Sequence, residues 1–500
     1  MQEKLNQLKN IFAEITDLYA AAGLLGWDQE TYMPRGSATR RGYQIGTLNS
    51  LSHKMFTSVE VGRLLDALQP YAETLDPDSD DARLIRVTRR GYEKRIKVPA
   101  ELVAELDQLT SSAHHPWVEA RQKNQFATYQ PHLEKILDNR RRYAELFAPY
   151  THVYDPLLDD YEPGMKTSQV QAIFGTLRTQ QVALLKEIAS RPQIENGFLF
   201  KTYDPQKQWD FSIEVATRLG YDWERGRMDK SAHPFTSSFG MDDVRLTTRV
   251  HPENLVSALF STVHEAGHGL YELGINPAYS RSLLETGASS AVHESQSRLW
   301  ENLVGRSYAF WEYFYPRLQS YFPEQLGEIS LPEFHRAINR VQPSLIRVEA
   351  EEATYNLHIM LRLELEIALM EGSLAVKDLP EAWNTRMQDY LGLTPPTDAE
   401  GVLQDVHWTM GLVGYFATYA LGNLISVQLW QRIQSDIPDL QDQMRRGDFA
   451  ALLAWLRRNI HTYGQKFEPQ ELVQQATGST IDSVPYLDYL RHKYSQVYGF

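Results

Sequence analysis

The segment His264-Glu265-Ala266-Gly267-His268 constrains this chain more than any other feature of its sequence. Residues four apart lie on one face of an α-helix, so the two imidazoles can reach one metal ion, with Glu265 near the ion's open side. The preceding apolar residues follow helical spacing: Leu255, Val256, Ala258, Leu259, Phe260 and Val263. The segment therefore predicts a helix that carries half of a hydrolytic metal site. The alternative is a buried amphipathic helix whose two histidines only form hydrogen bonds.

The surroundings of this segment add two expectations. Pro252 suits a first helical turn, so the helix is expected to begin near it. Glycine is less favourable than alanine in the interior of a helix, so Gly267 and Gly269 lower the helix propensity of this segment. We expect them to leave backbone uncovered beside the metal, where a substrate approaches.

The composition of the whole chain narrows its class. Its 500 residues are 42% hydrophobic, and no linker, repeat or low-complexity tract divides them, so a single domain spanning residues 1–500 is expected. The net charge of −14 argues against nucleic acid as a partner. No apolar run approaches the ~20 residues that span a bilayer, and the N-terminus lacks a signal-peptide core. Cysteine is absent, which excludes thiolate ligands and disulfides. We therefore expect a soluble, cytoplasmic protein.

Apolar periodicity predicts helices through most of the chain. The predicted helices cover residues 3–22, 58–68, 99–110, 130–147, 168–190, 208–219, 290–304, 308–321, 332–340, 345–371, 411–434 and 449–461. One stretch differs, because residues 243–250 alternate and are β-branched, which predicts a strand. It follows the turn-rich residues 236–240. This strand is expected either to pair with an extended peptide beside the metal helix or to serve only as a structural hairpin.

A third metal ligand must come from a second helix, because a catalytic zinc site usually takes three protein ligands and a water. Glu294 begins a periodic helix about one helix-loop-helix return after His268 and is the preferred ligand. Glu285 is the second choice, since it lies in a loop-like segment. His293 points away from Glu294 on a helix and is expected to support a ligand or to pack. The resulting His₂Glu set accepts zinc, and also cobalt or manganese.

Further motifs occur in a fixed order along the chain. They are Trp27-Asp28-Gln29-Glu30-Thr31-Tyr32-Met33-Pro34, His233-Pro234-Phe235, Asp243-x-Arg245-x-Thr247, His264 to His268, His293-Glu294-Ser295, Ile346-Arg347-Val348-Glu349-Ala350 and Gly401-x-x-Gln404-Asp405-x-His407-Trp408. With these motifs the chain resembles the thermostable carboxypeptidase (carboxypeptidase Taq) family of metallopeptidases from about residue 27 to residue 423. One departure is Glu351, where the family pattern has aspartate, which puts any role of that position in doubt.

The resemblance implies a mainly α-helical fold in two lobes around a deep groove, with a small β-hairpin at the site. It also implies a homodimer and hydrolysis of the C-terminal residue of peptides. Glu265 then takes a proton from the attacking water and passes it to the departing amine. Related helical zinc peptidases place a histidine and a tyrosine near the oxyanion. Here these are His407 with Tyr419, or with Tyr415 as the alternative.

An exopeptidase also binds the free carboxylate of its substrate, and bidentate arginine suits that task. Arg347 is the first choice, on a predicted helix where an internal ion pair is its alternative role. Arg245, on the predicted strand, is expected to close the far end of the groove and to repel a peptide's amino terminus. These two assignments could be exchanged. His233 is expected either to donate a hydrogen bond to substrate or to brace the hairpin.

The favoured function is therefore a metal-dependent carboxypeptidase with broad preference for the C-terminal residue of peptide substrates. The nearest alternative is an oligopeptidase or dipeptidase of the same zinc class. An alternative from another class is a catalytically silent helical protein that binds peptides.

Overall fold

The computed structural model describes all 500 residues and consists mainly of α-helices, as the sequence predicts. The helices are α1 (Gln2–Thr31), α2 (Ala38–Phe56), α3 (Val59–Ala72), α4 (Asp80–Lys97), α5 (Ala100–Lys123), α6 (Phe126–Glu145), α7 (Asp155–Leu158), α8 (Thr167–Ala189), α9 (Pro205–Leu219), α10 (Leu255–Glu272), α11 (Ser290–Arg298), α12 (Tyr308–Tyr321), α13 (Pro323–Leu326), α14 (Leu331–Ile338), α15 (Glu352–Glu371), α16 (Leu379–Leu391), α17 (Ala417–Asp436), α18 (Leu440–Arg445), α19 (Ala450–Asn459), α20 (Pro469–Thr477) and α21 (Val484–Tyr498). A π-helical segment, Leu299–Val304, continues α11. No helix is both long and apolar enough to cross a membrane.

Three short strands form one small sheet beside α10. They are β1 (Gly226–Lys230), β2 (Thr236–Ser238) and β3 (Val244–Thr248), in the order β1-β3-β2. β3 pairs parallel with β1 and antiparallel with β2, so the predicted hairpin is present and a third strand extends it. Because β3 is paired on both edges, it cannot bind a peptide through its backbone. The expectation that this strand pairs with substrate is therefore wrong, and the two free edges belong to β1 and β2.

Two main hydrophobic cores divide the helices, with a third, small cluster of Leu84, Met241, Ile275, Tyr279 and Leu284 apart from both. The larger one joins 105 buried residues, beginning in α5 and continuing to α21. The smaller one belongs to α1–α4 and contains Leu5, Leu8, Phe12, Ile15, Phe56, Val61, Leu64, Leu65, Leu68 and Ile85. The rings of Phe12 and Phe56 meet edge to face at 4.8 Å in its centre. The four N-terminal helices thus form a small lobe with its own core.

Two predicted helices begin later than expected, and both shortened ends lie near the site. The helix expected from residue 345 begins at Glu352, and Arg347 lies in a single 3-10 turn ahead of it, Arg347–Glu349. The helix expected from residue 411 begins at Ala417, because Gly411 and Gly414 adopt left-handed backbone conformations with φ of 71° and 101°. These segments form turns that position functional side chains.

Candidate active site

α10 presents the two histidines and Glu265 as the sequence predicts. The side chain of Asn254 accepts a hydrogen bond from the backbone N–H of Ser257 at 3.2 Å, so α10 begins at Leu255 and not at Pro252. Glu265 is buried, whereas His264 and His268 are partly exposed.

α11 lies directly against α10 and supplies Glu294. A methyl group at Gly267 would lie 2.6 Å from Cα of Ser297, and one at Gly269 would lie 2.9 Å from the ring of Tyr221. Both glycines therefore allow close packing, and the expectation that they leave backbone open to substrate is wrong. Gly267 lets α11 approach closely enough for its carboxylate to reach the histidines, whereas Gly269 makes room for Tyr221 and for Leu246 of β3.

The three predicted ligands form one cluster. Oε2 of Glu294 lies 3.7 Å from Nε2 of His264 and 3.5 Å from Nε2 of His268. All three donor atoms lie within 4.8 Å of one another. Bonds of ~2.0–2.1 Å at tetrahedral angles place ligand atoms ~3.3 Å apart, so this cluster fits a zinc-sized ion with little adjustment.

The electrostatic environment favours the ligating forms of Glu294 and His268, whereas the nearby carboxylates of Glu294 and Glu301 raise the pKa of His264. Burial alone raises the pKa of Glu294, but Arg298 and His264 outweigh it and hold that pKa well below its ordinary value. Burial lowers the pKa of His268 to about 3, so its imidazole is neutral at pH 7. An ionised carboxylate and a neutral imidazole are the forms that bind a divalent cation.

Each histidine is also held through its second ring nitrogen. Nδ1 of His264 lies 2.9 Å from Oε2 of Glu301, in the π-helical segment. Nδ1 of His268 lies 2.6 Å from Nδ1 of His293, whose Nε2 lies 2.7 Å from Glu272. His293 therefore contacts a predicted ligand, which is the arrangement expected of a supporting residue.

Glu285, the second choice for the third ligand, lies outside the cluster. Its carboxylate accepts hydrogen bonds from the backbone N–H groups of Met241, at 3.1 Å, and Arg281. These bonds fix the loop that precedes α11, so Glu285 has a structural role.

The free-edge strand β2 positions the expected base. The hydroxyl of Thr236 donates to Oε2 of Glu265 at 2.7 Å and lies 2.9 Å from its backbone oxygen. Burial raises the pKa of Glu265, and this hydrogen bond opposes the rise. A carboxylate with a raised pKa is a better proton acceptor at neutral pH.

A cavity of about 1330 Å³ opens beside the cluster and brings together most of the predicted site. Its lining includes His233, His264, Glu265, Glu294, Arg347 and Tyr419. A smaller cavity of about 360 Å³ lies on the other side, along His268, Tyr415 and Tyr419. Glu294 and Tyr419 line both cavities, so the ligand cluster separates two spaces that the parts of a peptide could occupy.

Arg347 is buried and forms the internal ion pair that its alternative role predicts. Its Nε donates to Asp405 at 3.0 Å, and its Nη1 donates to the hydroxyl of Tyr355 at 2.9 Å. Asp405 also accepts from Arg362 at 2.7 Å, so two guanidinium groups share one carboxylate. Nη2 of Arg347 donates to no group of the chain, and Arg347 lines the large cavity. The pocket therefore keeps positive charge and a donor for a further anion.

His407 and Tyr419 lie together, as the sequence predicts. Nε2 of His407 lies 3.3 Å from the hydroxyl of Tyr419. Burial lowers the pKa of His407 to about 4, partly offset by Asp405, so the ring is neutral at pH 7. Tyr415 packs edge to face on Tyr419 at 5.2 Å and lines only the smaller cavity, where burial raises its pKa to about 12. The geometry thus favours Tyr419 over Tyr415 as the hydroxyl beside both spaces.

Arg245 lies away from the large cavity. Its guanidinium is paired with Asp243 through two contacts of 2.7 Å and stacks over the ring of Trp27 at 4.5 Å. Trp27 belongs to α1, so this arginine connects the sheet to the N-terminal lobe. Its expected role in limiting substrate length remains a prediction.

Sequence reasoning missed several side chains that build the site. Thr236 and Tyr355 gave no pattern, since each meets its partner through tertiary packing. Arg298 could have been found, because it lies four residues after Glu294, the spacing of a helical ion pair. Its Nε donates to Glu294 at 2.7 Å.

Comparisons with known proteins agree with this geometry. The family model described as carboxypeptidase Taq (M32) metallopeptidase matches residues 7–494. Thermostable carboxypeptidase 1 of Thermus thermophilus is 41% identical, with 97% of each chain covered. Carboxypeptidase 1 of Bacillus subtilis is 37% identical, covering 98% of this chain and 97% of the relative. The crystal structure of an M32 carboxypeptidase from Deinococcus radiodurans superposes with a TM-score of 0.96 at 40% identity, over 100% of both chains. This chain belongs to the carboxypeptidase Taq family of metallopeptidases.

Proposed function

We propose that this metal-dependent carboxypeptidase holds a zinc ion with His264, His268 and Glu294 and releases single C-terminal residues with broad preference. Membership of the family establishes the metallocarboxypeptidase activity. The observation that carries the finer proposal is that two donors of the three-donor cluster, His264 and Glu294, line the same cavity as Arg347. Cobalt and manganese suit the same donor atoms.

The residues around the cluster divide the work of hydrolysis. When bound, the divalent ion polarises the scissile carbonyl and lowers the pKa of a water molecule. Glu265 takes a proton from the attacking water and later gives it to the departing amine. Thr236 holds the Glu265 carboxylate in place for both transfers.

Charge that develops on the carbonyl oxygen requires further donors. Tyr419 supplies its hydroxyl, and His407 orients that hydroxyl through their 3.3 Å contact. Tyr415 packs against Tyr419 and limits the movement of its ring.

Arg347 receives the substrate's free carboxylate. Its Nη2 is available, while Asp405 and Tyr355 fix the plane of the guanidinium group. His233, exposed at the rim of the same cavity, contacts the released residue. Arg245 limits substrate length from the side of the N-terminal lobe.

The test combines metal analysis with product analysis. The purified enzyme is assayed for bound zinc, cobalt and manganese, stripped with a chelator, and reloaded with each metal. A panel of short peptides with free and amidated C-termini is then digested, and released amino acids are measured. We expect one zinc ion per chain and release only from free C-termini. Equal cleavage of amidated peptides would indicate an oligopeptidase, and absence of product with metal bound would indicate a peptide-binding protein.

Family resemblance also supports a homodimer in the cytoplasm, formed by single domains spanning residues 1–500. Sedimentation equilibrium tests this proposal, because the chain mass is 57.6 kDa and a dimer has twice that mass. A species of one chain mass at micromolar concentration would contradict it.

A further inference from the structure

Arg298 contacts both halves of the active site, although no part of the proposed mechanism uses it. It lies at the end of α11, is 13% exposed in its side chain, and lines the large cavity. Its guanidinium group contacts two carboxylates and one aromatic ring. The two carboxylates belong to the metal site, whereas the aromatic ring contacts Arg347.

The first two contacts hold metal ligands. Nε of Arg298 donates to Oε1 of Glu294 at 2.7 Å, which leaves Oε2 as the atom that faces the histidines. Nη1 donates to Oε2 of Glu301 at 3.2 Å, and this same oxygen lies 2.9 Å from Nδ1 of His264. One cation therefore orients one ligand directly and a second ligand through its carboxylate partner.

The third contact leads to Arg347, which with Arg362 and Asp405 forms the proposed carboxylate pocket. The guanidinium carbon of Arg298 lies 4.4 Å from the centre of the Tyr355 ring, within the range of a cation–π contact. The hydroxyl of Tyr355 accepts a hydrogen bond from Nη1 of Arg347 at 2.9 Å. The position of Arg298 thus fixes the ring whose hydroxyl fixes Arg347.

We propose that Arg298 is a positioning residue that couples the metal site to the carboxylate pocket, through Glu294 and Glu301 on one side and Tyr355 on the other. This inference rests on the ligand set proposed above. It goes beyond that set because it predicts that one side chain, touching neither metal nor scissile bond, governs both metal affinity and carboxylate affinity.

Lysine cannot replace Arg298 in this role. The planar guanidinium group donates in two directions and stacks on a ring at the same time, whereas an ammonium group is a compact point charge. Arg298→Lys keeps the charge and loses the geometry, so it separates positioning from simple charge balance.

The first measurement is metal affinity, determined by competition with a chromophoric chelator on the full-length enzyme. Loss of a residue that orients metal ligands typically weakens affinity ~10–100-fold, and we expect this for Arg298→Lys. Arg432→Lys is the matched control, because Arg432 also pairs with a carboxylate four residues away, Asp436, but on the exposed face of α17. Its metal affinity should remain that of the parent.

The second measurement is the inhibition constant of 3-phenylpropionate, a simple carboxylate, at saturating metal. We expect Arg298→Lys to weaken this inhibitor as well. Tyr355→Phe keeps the ring and removes the hydroxyl, so it should weaken the inhibitor and leave metal affinity unchanged. Arg298→Lys and Tyr355→Phe together therefore separate the effect on the metal site from the effect on Arg347.

The outcomes distinguish this inference from the ligand set on which it rests. If His264→Ala leaves metal affinity unchanged, the ligand set is wrong. If His264→Ala abolishes metal binding while Arg298→Lys keeps parental affinity, the inference alone is wrong. Weakened metal binding with an unchanged inhibition constant overturns the link through Tyr355. Glu301→Gln, which preserves shape, serves as the second variant and should weaken metal binding ~10-fold even if an Arg298 variant fails to fold.

Discussion

The proposed metal centre and the proposed carboxylate pocket adjoin each other, yet they carry opposite surpluses of charge. In the metal centre three carboxylates, Glu265, Glu294 and Glu301, face two guanidinium groups, Arg298 and Arg306. In the pocket the single carboxylate of Asp405 faces Arg347 and Arg362. The first region is thus short of positive charge and the second of negative charge.

This difference agrees with the ligands proposed for the two regions. A buried charge without a partner is costly, so a divalent cation would complete the first region and a substrate carboxylate would complete the second. A peptide whose free C-terminus enters the pocket places its last peptide bond toward the metal centre. On the proposed assignments, the preference for C-terminal residues follows from two complementary charge surpluses side by side.

The largest effect is expected from replacing Glu265, the proposed general base. Glu265→Gln removes proton transfer and keeps the side-chain shape, so kcat should fall by ~10³-fold while the metal stays bound. Metal content by plasma emission and peptide turnover are measured on the same sample. Glu381→Gln, an exposed position on α16, should keep parental turnover. Turnover within tenfold of the parent would remove Glu265 from the mechanism.

The next largest effect distinguishes the two arginines. Arg347→Met should lower kcat/KM for peptides with a free C-terminus by ~10²-fold or more, because a buried charge pair typically contributes about 2–5 kcal/mol. Any slow cleavage of amidated peptides should not change. Arg245→Met should leave the rate on short peptides within about twofold. The reverse pattern would exchange the two assignments.

A smaller effect tests how tightly the metal centre is packed. Gly267→Ala places a methyl group 2.6 Å from the Cα atom of Ser297, so α11 must move away from α10. We expect ~1–3 kcal/mol of lost stability and weaker metal binding. Gly175→Ala on α8 meets no atom within 4 Å and should stabilise by ~0.4–1 kcal/mol. Chemical denaturation gives the free energy of unfolding of both variants. Equal changes in that free energy would show that the close packing of α10 and α11 does not require glycine at position 267.

The smallest effect, per pH unit, is on the stability of the folded protein in acid, and it concerns His407 beside the proposed carboxylate pocket. The pKa of His407 is lowered from 6.5 to about 4 by burial, so between these values the unfolded chain takes up a proton that the folded chain does not. Stability should fall as pH decreases through this window, by at most ~1.4 kcal/mol per pH unit for this group. His407→Gln should reduce that slope in metal-free protein.

A matched histidine controls for general acid sensitivity. Burial lowers the pKa of His335 on α14 to about 4 as well. His335→Gln should reduce the acid slope in the same way and keep parental activity, whereas His407→Gln should also reduce kcat. If the dependence of stability on pH were unchanged in His407→Gln, burial would not be lowering the pKa of His407.

The metal centre was predictable because its geometry is local. His264 and His268 lie one helical turn apart, and Glu294 begins the next helix, so spacing alone brings them together. The small sheet was partly predictable: alternation identified β3, while β1 and β2 are too short or too polar to give a pattern. The helix predicted at residues 308–321 matches Tyr308–Tyr321, because its apolar residues form a clear stripe in the local sequence.

The carboxylate pocket was less predictable because it joins distant parts of the chain. Arg347 and Asp405 are separated by 58 residues, and no local pattern shows that they pair. Helices α2, α4, α16, α20 and α21 were also missed, as were the short helices α7, α13 and α18. For α2 the reason is physical: its 19 residues bury only Ser52 and Phe56, so it has no apolar stripe.

Anomalous diffraction from crystals of the zinc-loaded enzyme tests the ligand set most directly. The account predicts one strong peak at the zinc edge, ~2.0–2.2 Å from Nε2 of His264, Nε2 of His268 and Oε2 of Glu294. A peak bound by Glu285 or Glu272, or one away from α10, would contradict it.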